Sequence, residues 1–304
     1  MSRNPLSLRK VTRRCIAWLL VCLFSLAAMP APAAEQRKEL LIGIEPEHNI
    51  FDQMERYRYL AAYLSEQLGV KVNLTIMSRY GEVIKRFKTL NLDGAFLTSY
   101  TATMGIKELH LEPLANPVHL NGQSTSQGYI FVRQDSEIRA IRDMEGKSIV
   151  FVDPATMEGY LFPLAYLQQH GISDINRFFH RFYFAGSHAS AIFAVLDGRA
   201  DIGAAKSTVF DRLVLNDPSI RQELEIIAQS PEVPEVTLCI RNEIEQDLRD
   251  RLAAALLRMN ETPRGLETLK RFQALRFVKS SKEDFVRIEE MAQKARSAIA
   301  EHGK

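Results

Sequence analysis

Two strand-to-helix turns carry the residues whose types and spacing suit the binding of an anion. The first turn, Thr156-Met157-Glu158, follows a strand predicted over Ser148–Val152. Pro163 places the next helix start near Glu158 or Gly159, because proline is tolerated in a first turn but costs about 3 kcal/mol deeper inside a helix. The N–H groups of this turn then meet the carboxyl end of a strand, where open α/β sheets bind ligands. An ordinary strand–helix turn is the alternative.

The second turn, Gly186-Ser187-His188, has the same form. Ser187 is a good N-cap residue, so His188 falls in the first turn of a predicted helix. The helix dipole disfavours the protonated imidazole there, and a neutral imidazole can donate one hydrogen bond to a ligand oxygen. The alternative is a histidine near the cap that solvent satisfies.

Two further predicted helix starts carry Tyr80, Ser99 and Tyr100. The tyrosines are candidate ligand contacts, and half-buried packing aromatics are the alternative. One helix start contributes ~0.3–2 kcal/mol, whereas micromolar binding needs about 8 kcal/mol. A binding site therefore requires several such turns facing one cleft.

The order of predicted elements positions these turns in an α/β architecture. Strands are predicted at 39–44, 70–77, 93–97, 129–132, 148–152, 181–184, 200–205 and 235–241. Helices are predicted at 52–68, 78–90, from 99 onward, 158–169, 187–198, 244–259, 262–273 and 283–302. Strands alternating with helices are typical of largely parallel sheets covered by helices. The 270 residues that follow position 34 exceed the usual size of one core, so two lobes are expected.

The first 34 residues are predicted to be a signal peptide cleaved near Ala33/Ala34. A basic segment precedes the apolar run Cys15–Met29, which is too short to span a membrane comfortably. We therefore predict a periplasmic protein. Of three cysteines only Cys239 lies beyond this segment, so no internal disulfide is expected. Without the five basic residues of this segment, 34 Lys and Arg oppose 37 Asp and Glu, which does not suit nucleic-acid binding.

The sequence does not favour an enzyme. It contains no Gly-x-Ser-x-Gly or His-Glu-x-x-His motif, and Cys239 sits in a predicted apolar strand. Glu45 and His48 are close in sequence, but two residues do not make a metal site. No metal and no cofactor are predicted.

Several segments, in order along the chain, resemble the phosphate/phosphite/phosphonate ABC-transporter substrate-binding proteins. The opening segment is 43–65, the phosphonate-loop motif is 153–163, and the next signature is 186–201. Val233-Pro234-Glu235 and Glu261-Thr262-Pro263-Arg264-Gly265 also fit. The similarity covers essentially the whole chain after residue 34.

The resemblance implies a two-lobed type II periplasmic-binding fold, each lobe a mixed, mostly parallel sheet flanked by helices. Lobe I would comprise 35–128 and 234–304, and lobe II 129–233. Ligand would bind between the lobes and be delivered to an ABC permease by a monomer. The family pattern points to Tyr80, Tyr129, the turn at 156–158 and His188 as ligand contacts.

This sequence departs from the family at the turn, where phosphonate binders typically have Ser-Thr-Ser. Glu158 adds negative charge there, and a like-charge pair at 4 Å costs about 4 kcal/mol at an effective dielectric of 20. Glu158 therefore faces solvent, or accepts a proton from the ligand, or the ligand differs. Lys206 suits an anion but not an amine, which disfavours aminoethylphosphonate. The altered turn also motivates a second hypothesis, a sensor or adaptor that signals to a membrane partner such as a sensor kinase.

Overall fold

The computed structural model describes residues 39–47, 50–77 and 79–300, with side chains up to residue 295. The predicted signal peptide, His48 and the end of the last predicted helix lie outside the described residues. Within the described residues, none of the helices combines the length and apolar character needed to cross a membrane.

A six-stranded sheet forms the first lobe. Its strands are β1 Glu39–Ile44, β2 Lys71–Ile76, β3 Gly94–Leu97, β4 Glu112–His119, β12 Thr237–Ile240 and β13 Ala274–Lys279. They lie in the order β13-β4-β12-β3-β1-β2. The pairs β1–β2 and β1–β3 are parallel, whereas β12–β3, β12–β4 and β13–β4 are antiparallel. The carboxyl ends of β1 and β3 therefore meet at one edge.

A five-stranded sheet forms the second lobe. Its strands are β6 Gly128–Arg133, β7 Ser148–Phe151, β8 Arg181–Phe184, β9 Ile202–Lys206 and β10 Leu224–Gln229. They lie in the order β10-β6-β9-β7-β8. Strand β7 pairs in parallel with both β8 and β9, so the carboxyl ends of these three strands also meet at one edge.

The chain passes between the sheets twice, and the two passages pair with each other. Strands β5 Thr125–Ser126 and β11 Val233–Pro234 form a short antiparallel ladder at this crossing. The predicted lobe boundaries at 128/129 and 233/234 fall beside this ladder and stay a prediction.

Helices cover both sheets. They are α1 Ile50–Leu68, α2 Val83–Thr89, α3 Ser99–Leu109, α4 Phe162–Gln169, α5 Ile175–Phe178, α6 His188–Leu196, α7 Ser207–Asn216, α8 Ser219–Glu223, α9 Gln246–Leu257, α10 Pro263–Phe272 and α11 Val286–Ala300. Helix α1 buries Tyr57, Leu60, Leu64 and Leu68, which recur at helical spacing. Helix α11 packs against α3 of the first lobe and α4 of the second.

The α/β class, the two lobes and the mixed sheets are confirmed, with a smaller parallel share than predicted. The missed strands β4, β10 and β13 each pair antiparallel with their neighbours. The predicted strands β12 and β6 also pair antiparallel, with β3 and β9 respectively. Helices α5, α7 and α8 were also not predicted. The predicted helix at 78–90 is shorter, since a 3₁₀ turn at Tyr80–Glu82 precedes α2.

Candidate functional site

The two lobes bring the carboxyl ends of their parallel strands toward one buried polar cluster. From the first lobe, Glu45 and Glu47 follow β1, and Ser99 begins the helix after β3. From the second lobe, Glu158 follows β7, and Lys206 ends β9. All five side chains are buried. This placement agrees with the rule that α/β sheets bind ligands beyond the carboxyl ends of their strands.

Glu158 points into the cluster and is 1% exposed. Its Oε1 accepts a hydrogen bond from the Ser126 hydroxyl at 2.7 Å, and its Oε2 accepts one from the Ser99 hydroxyl at 3.3 Å. Of the three alternatives for Glu158, the structure excludes the one in which this side chain faces solvent. The turn that carries it is a π-helical turn, Met157–Leu161, which packs tightly because residues 128 and 159 are glycines.

Lys206 is fully buried, and its ammonium forms an ion pair with Glu47. This pair joins the second lobe to the first. Burial alone would lower the pKa of Lys206, but the carboxylates of Glu47, Glu158 and Glu235 raise it above its ordinary value. Lys206 is therefore a fixed positive charge inside the cluster.

His188 and Tyr80 present hydrogen-bonding groups that have no partner among the described residues. The backbone N–H of Lys206 donates to His188 Nδ1 at 3.0 Å, so the proton of the neutral ring is on Nε2. Burial and the charge of Lys206 lower the pKa of His188 well below its ordinary value, which keeps the ring neutral. His188 Nε2 and the Tyr80 hydroxyl are both buried and unpartnered, and the two rings lie 5.9 Å apart.

Two further buried carboxyl groups lie nearby. Oε2 of Glu45 accepts from the Thr98 N–H at 2.7 Å and the Thr101 hydroxyl at 2.6 Å. Burial raises the pKa of Glu45 to about 8, with a further contribution from the charge of Glu47. Glu235 behaves differently. Burial opposes its ionisation, but His119, whose Nε2 lies 2.5 Å from Oε2 of Glu235, lowers the pKa of Glu235 to about 2.

Some predicted residues contribute to other parts of the structure. Met157 packs in the apolar core, and the Thr156 hydroxyl donates to the Asp153 carbonyl at 2.7 Å. Tyr100 lines a groove to which both lobes contribute, outside the buried cluster, and the Tyr129 ring packs against Phe210 at 5.7 Å. The structure thus brings together Tyr80, Ser99, Glu158, His188 and Lys206. The ligand-binding role of every predicted residue stays a prediction.

Sequence reasoning missed Glu47, Ser126 and Thr101. The pairing of Glu47 with Lys206 spans 159 positions in the chain. A buried partner is expected for a lysine that ends an apolar strand, so Lys206 itself carried a signal. Nothing in the local sequence identified the carboxylate of Glu47 as the partner of Lys206.

No group of three or more His, Cys, Asp or Glu side chains is placed to hold a metal ion among residues 39–47, 50–77 and 79–300. The donor set instead combines hydroxyls, one neutral imidazole and one ammonium. Such groups bind oxygen acceptors.

The fold and the buried polar cluster shared by its lobes define the class of molecule, a two-lobed protein with the type II periplasmic-binding architecture. The solved structure of PhnD1 from Prochlorococcus marinus in complex with methylphosphonate shares this fold, with a TM-score of 0.73 and 22% identity over 85% of this chain and 98% of that chain.

The chain belongs to the family of ABC transporter, phosphonate, periplasmic substrate-binding proteins, whose model matches residues 42–285. It is 26% identical over 280 residues to the phosphonates-binding periplasmic protein of Escherichia coli, covering 89% of this chain and 81% of that protein. It is 29% identical over 185 residues to the phosphate-import protein PhnD of Mycolicibacterium smegmatis, covering 58% of this chain and 57% of that protein. The last match therefore spans little more than half of the relative's length.

Proposed function

We propose that the protein captures a small oxyanion between its lobes in the periplasm and delivers it to an ABC importer. Membership in the substrate-binding family supports a small ligand and a permease partner. The named phosphate and phosphonate relatives support phosphate, phosphite or a phosphonate as the ligand class.

One observation carries the proposal: a donor from each lobe is buried without a partner among the described residues. Tyr80 in the first lobe has an unpartnered hydroxyl, and His188 in the second lobe has an unpartnered Nε2–H. Leaving a buried donor unsatisfied costs ~1–3 kcal/mol. An oxyanion between the lobes accepts from both groups, which favours the closed form when ligand is present.

The surrounding charges restrict the ligand. Lys206 is an attractive charge, but Glu47 pairs with it, and Glu158 and Glu235 are also buried nearby. A highly charged anion meets repulsion from these carboxylates, so we propose a ligand of low negative charge.

Calorimetry with phosphate, phosphite and methylphosphonate tests this function. We expect heat and a rise in melting temperature with at least one of them. The variant His188→Ala should weaken binding roughly 10–100-fold, because a hydrogen bond to a charged group is worth ~1.5–3 kcal/mol. The exposed His170→Ala is the matched control and should bind as the wild type does. No heat with all three anions would overturn the proposal.

A sensor or adaptor in the same fold is the second candidate. It is favoured by the contacts of Glu158, whose carboxylate already accepts hydrogen bonds from the Ser99 and Ser126 hydroxyls. Reconstitution with the ABC permease distinguishes the two functions. Stimulation of its ATPase by the liganded protein supports transport, and tight binding to a sensor kinase without such stimulation supports sensing.

The remaining assignments are part of the same proposal. The protein acts as a monomer without catalysis and without binding nucleic acid, and its leader is removed near Ala33/Ala34. The acidic balance of the chain after the leader and the absence of catalytic motifs in the sequence support this. The intact mass of the exported protein and its elution in gel filtration test the cleavage site and the monomer.

A further inference from the structure

We infer that Glu158 is an internal substitute for the ligand oxyanion and that it closes the cleft of the ligand-free protein. The inference rests on the proposed function in one respect, that an oxyanion binds where the two lobes meet. It assigns to Glu158 a role in specificity and in the open–closed equilibrium.

The contacts of Glu158 are those of a bound oxyanion. The side chain comes from the second lobe and is buried. Its Oε2 accepts a hydrogen bond from the hydroxyl of Ser99, the first residue of α3 in the first lobe. Its Oε1 accepts a hydrogen bond from the hydroxyl of Ser126 in the crossing segment. A single carboxylate thus connects the second lobe to the first lobe and to the crossing.

The charges around Glu158 also favour closure. The Glu158 carboxylate lies near enough to the buried Lys206 ammonium to favour the charged form of this lysine. In the closed cleft, where water is excluded, this attraction is stronger than in an open cleft filled with water. The ion pair between Lys206 and Glu47 adds a second contact between the lobes. The carboxylates of Glu158 and Glu47 thus bind the hydroxyls and the ammonium that a ligand anion would otherwise contact.

This arrangement makes ligand binding a displacement. A ligand oxygen reaches Ser99 and Ser126 only after the Glu158 carboxylate leaves them. Molecules in which Glu158 occupies these donors cannot bind the ligand there. The apparent affinity for the ligand is therefore lowered in proportion to the fraction of molecules in this closed state. His188 and Tyr80 remain available to the ligand, because Glu158 does not contact either in a hydrogen bond.

Small-angle X-ray scattering of the ligand-free protein tests the inference. The wild type should scatter as a closed molecule in which Glu158 and Lys206 connect the lobes, and Glu158→Ala should have a larger radius of gyration. Glu145→Ala removes an exposed glutamate of the same lobe and should scatter as the wild type does. An open ligand-free wild type, or a Glu158→Ala profile that matches the wild type, would overturn the inference.

Two further measurements keep the result interpretable. Circular dichroism checks that the variants are folded, and Glu158→Ser replaces Glu158→Ala if the latter does not fold. Since the scattering samples contain no ligand, failure here is independent of the calorimetric test of the proposed function. Conversely, absence of ligand heat leaves the comparison of open and closed forms intact.

Discussion

At the scale of single residues, Glu45 makes the stability of the protein depend on pH. Its folded pKa is about 8, whereas an unfolded glutamate titrates near 4.3. Between these values the folded state holds a proton that the unfolded state has lost, so stability falls as pH rises. The neutral His188 acts in the opposite sense below about pH 6.5, where the unfolded imidazole takes up a proton.

The two effects cancel between about pH 5 and 6.5, so the net fall is expected from about pH 6.5 to 8. We expect a loss of roughly 2 kcal/mol in the free energy of unfolding over that interval. Urea denaturation at several pH values measures it. Glu45→Gln keeps the shape but does not titrate, and its stability should rise with pH up to about 6.5 and then remain constant. An equal fall from pH 6.5 to 8 in this variant would show that another group is responsible.

At the scale of elements, the turn that carries Glu158 depends on close packing at Gly159. A Cβ at this position would lie 2.4 Å from Cγ2 and 2.6 Å from Cβ of Val152. The Val152 Cβ is fixed to the backbone and cannot rotate away. Glycine therefore allows the turn to approach the end of β7 and to aim Glu158 at the cleft.

We expect Gly159→Ala to destabilise the protein by ~1–3 kcal/mol, as overpacking of a tight interior does. Chemical denaturation measures the effect. Gly146→Ala is a control for loss of a glycine at an open position, and its cost should come from its positive φ of 70° rather than from contacts. A Gly159→Ala protein with unchanged stability and unchanged ligand affinity would contradict this account of the turn.

Strand β4 shows why some elements were not predictable from the sequence. It contains Pro113 and Pro117, and proline argues against a central strand because it cannot donate to the ladder. The structure nevertheless places β4 between β12 and β13. A register irregularity between Leu238 and Cys239 of β12 lies opposite this part of β4. The register of the neighbouring strand decides whether a proline-containing strand can pair there, and this register cannot be read from the sequence of β4.

At the scale of the whole molecule, the pair Lys206–Glu47 couples the lobes. Removing Lys206 leaves Glu47 without its ion-pair partner, whereas removing Glu47 leaves Lys206 with the weaker attraction of Glu158 and Glu235. Breaking a buried ion pair costs up to ~3–5 kcal/mol unless the lobes separate and water enters. We expect Lys206→Met and Glu47→Gln each to lower the melting temperature and enlarge the ligand-free molecule. The double variant should recover part of the loss.

A double-mutant cycle by thermal denaturation measures this coupling, which should be on the order of 1 kcal/mol or more. The exposed pair Arg199–Asp197, 2.7 Å apart, is the control and should show coupling near zero. Additive effects at Lys206 and Glu47 would show that the buried pair does not hold the lobes together.

The sequence by itself determined the elements whose signals are local. The spacing of apolar residues in α1, the cap at Ser187 and the position of Pro163 fix helix starts and faces through short-range sterics and hydrogen bonds. These signals placed His188 and Glu158 at the ends of strands, and the order of elements gave the α/β class.

Only the tertiary structure decided what meets in the cleft. Ser99 and Glu158 are 59 positions apart, and Glu47 and Lys206 are 159 apart, so no local pattern relates them. Whether Glu158 faces water or the interior depends on which donors the other lobe presents when the sheets come together. Burial makes this choice energetically large, because a carboxylate excluded from water must find hydrogen-bond donors or a positive charge.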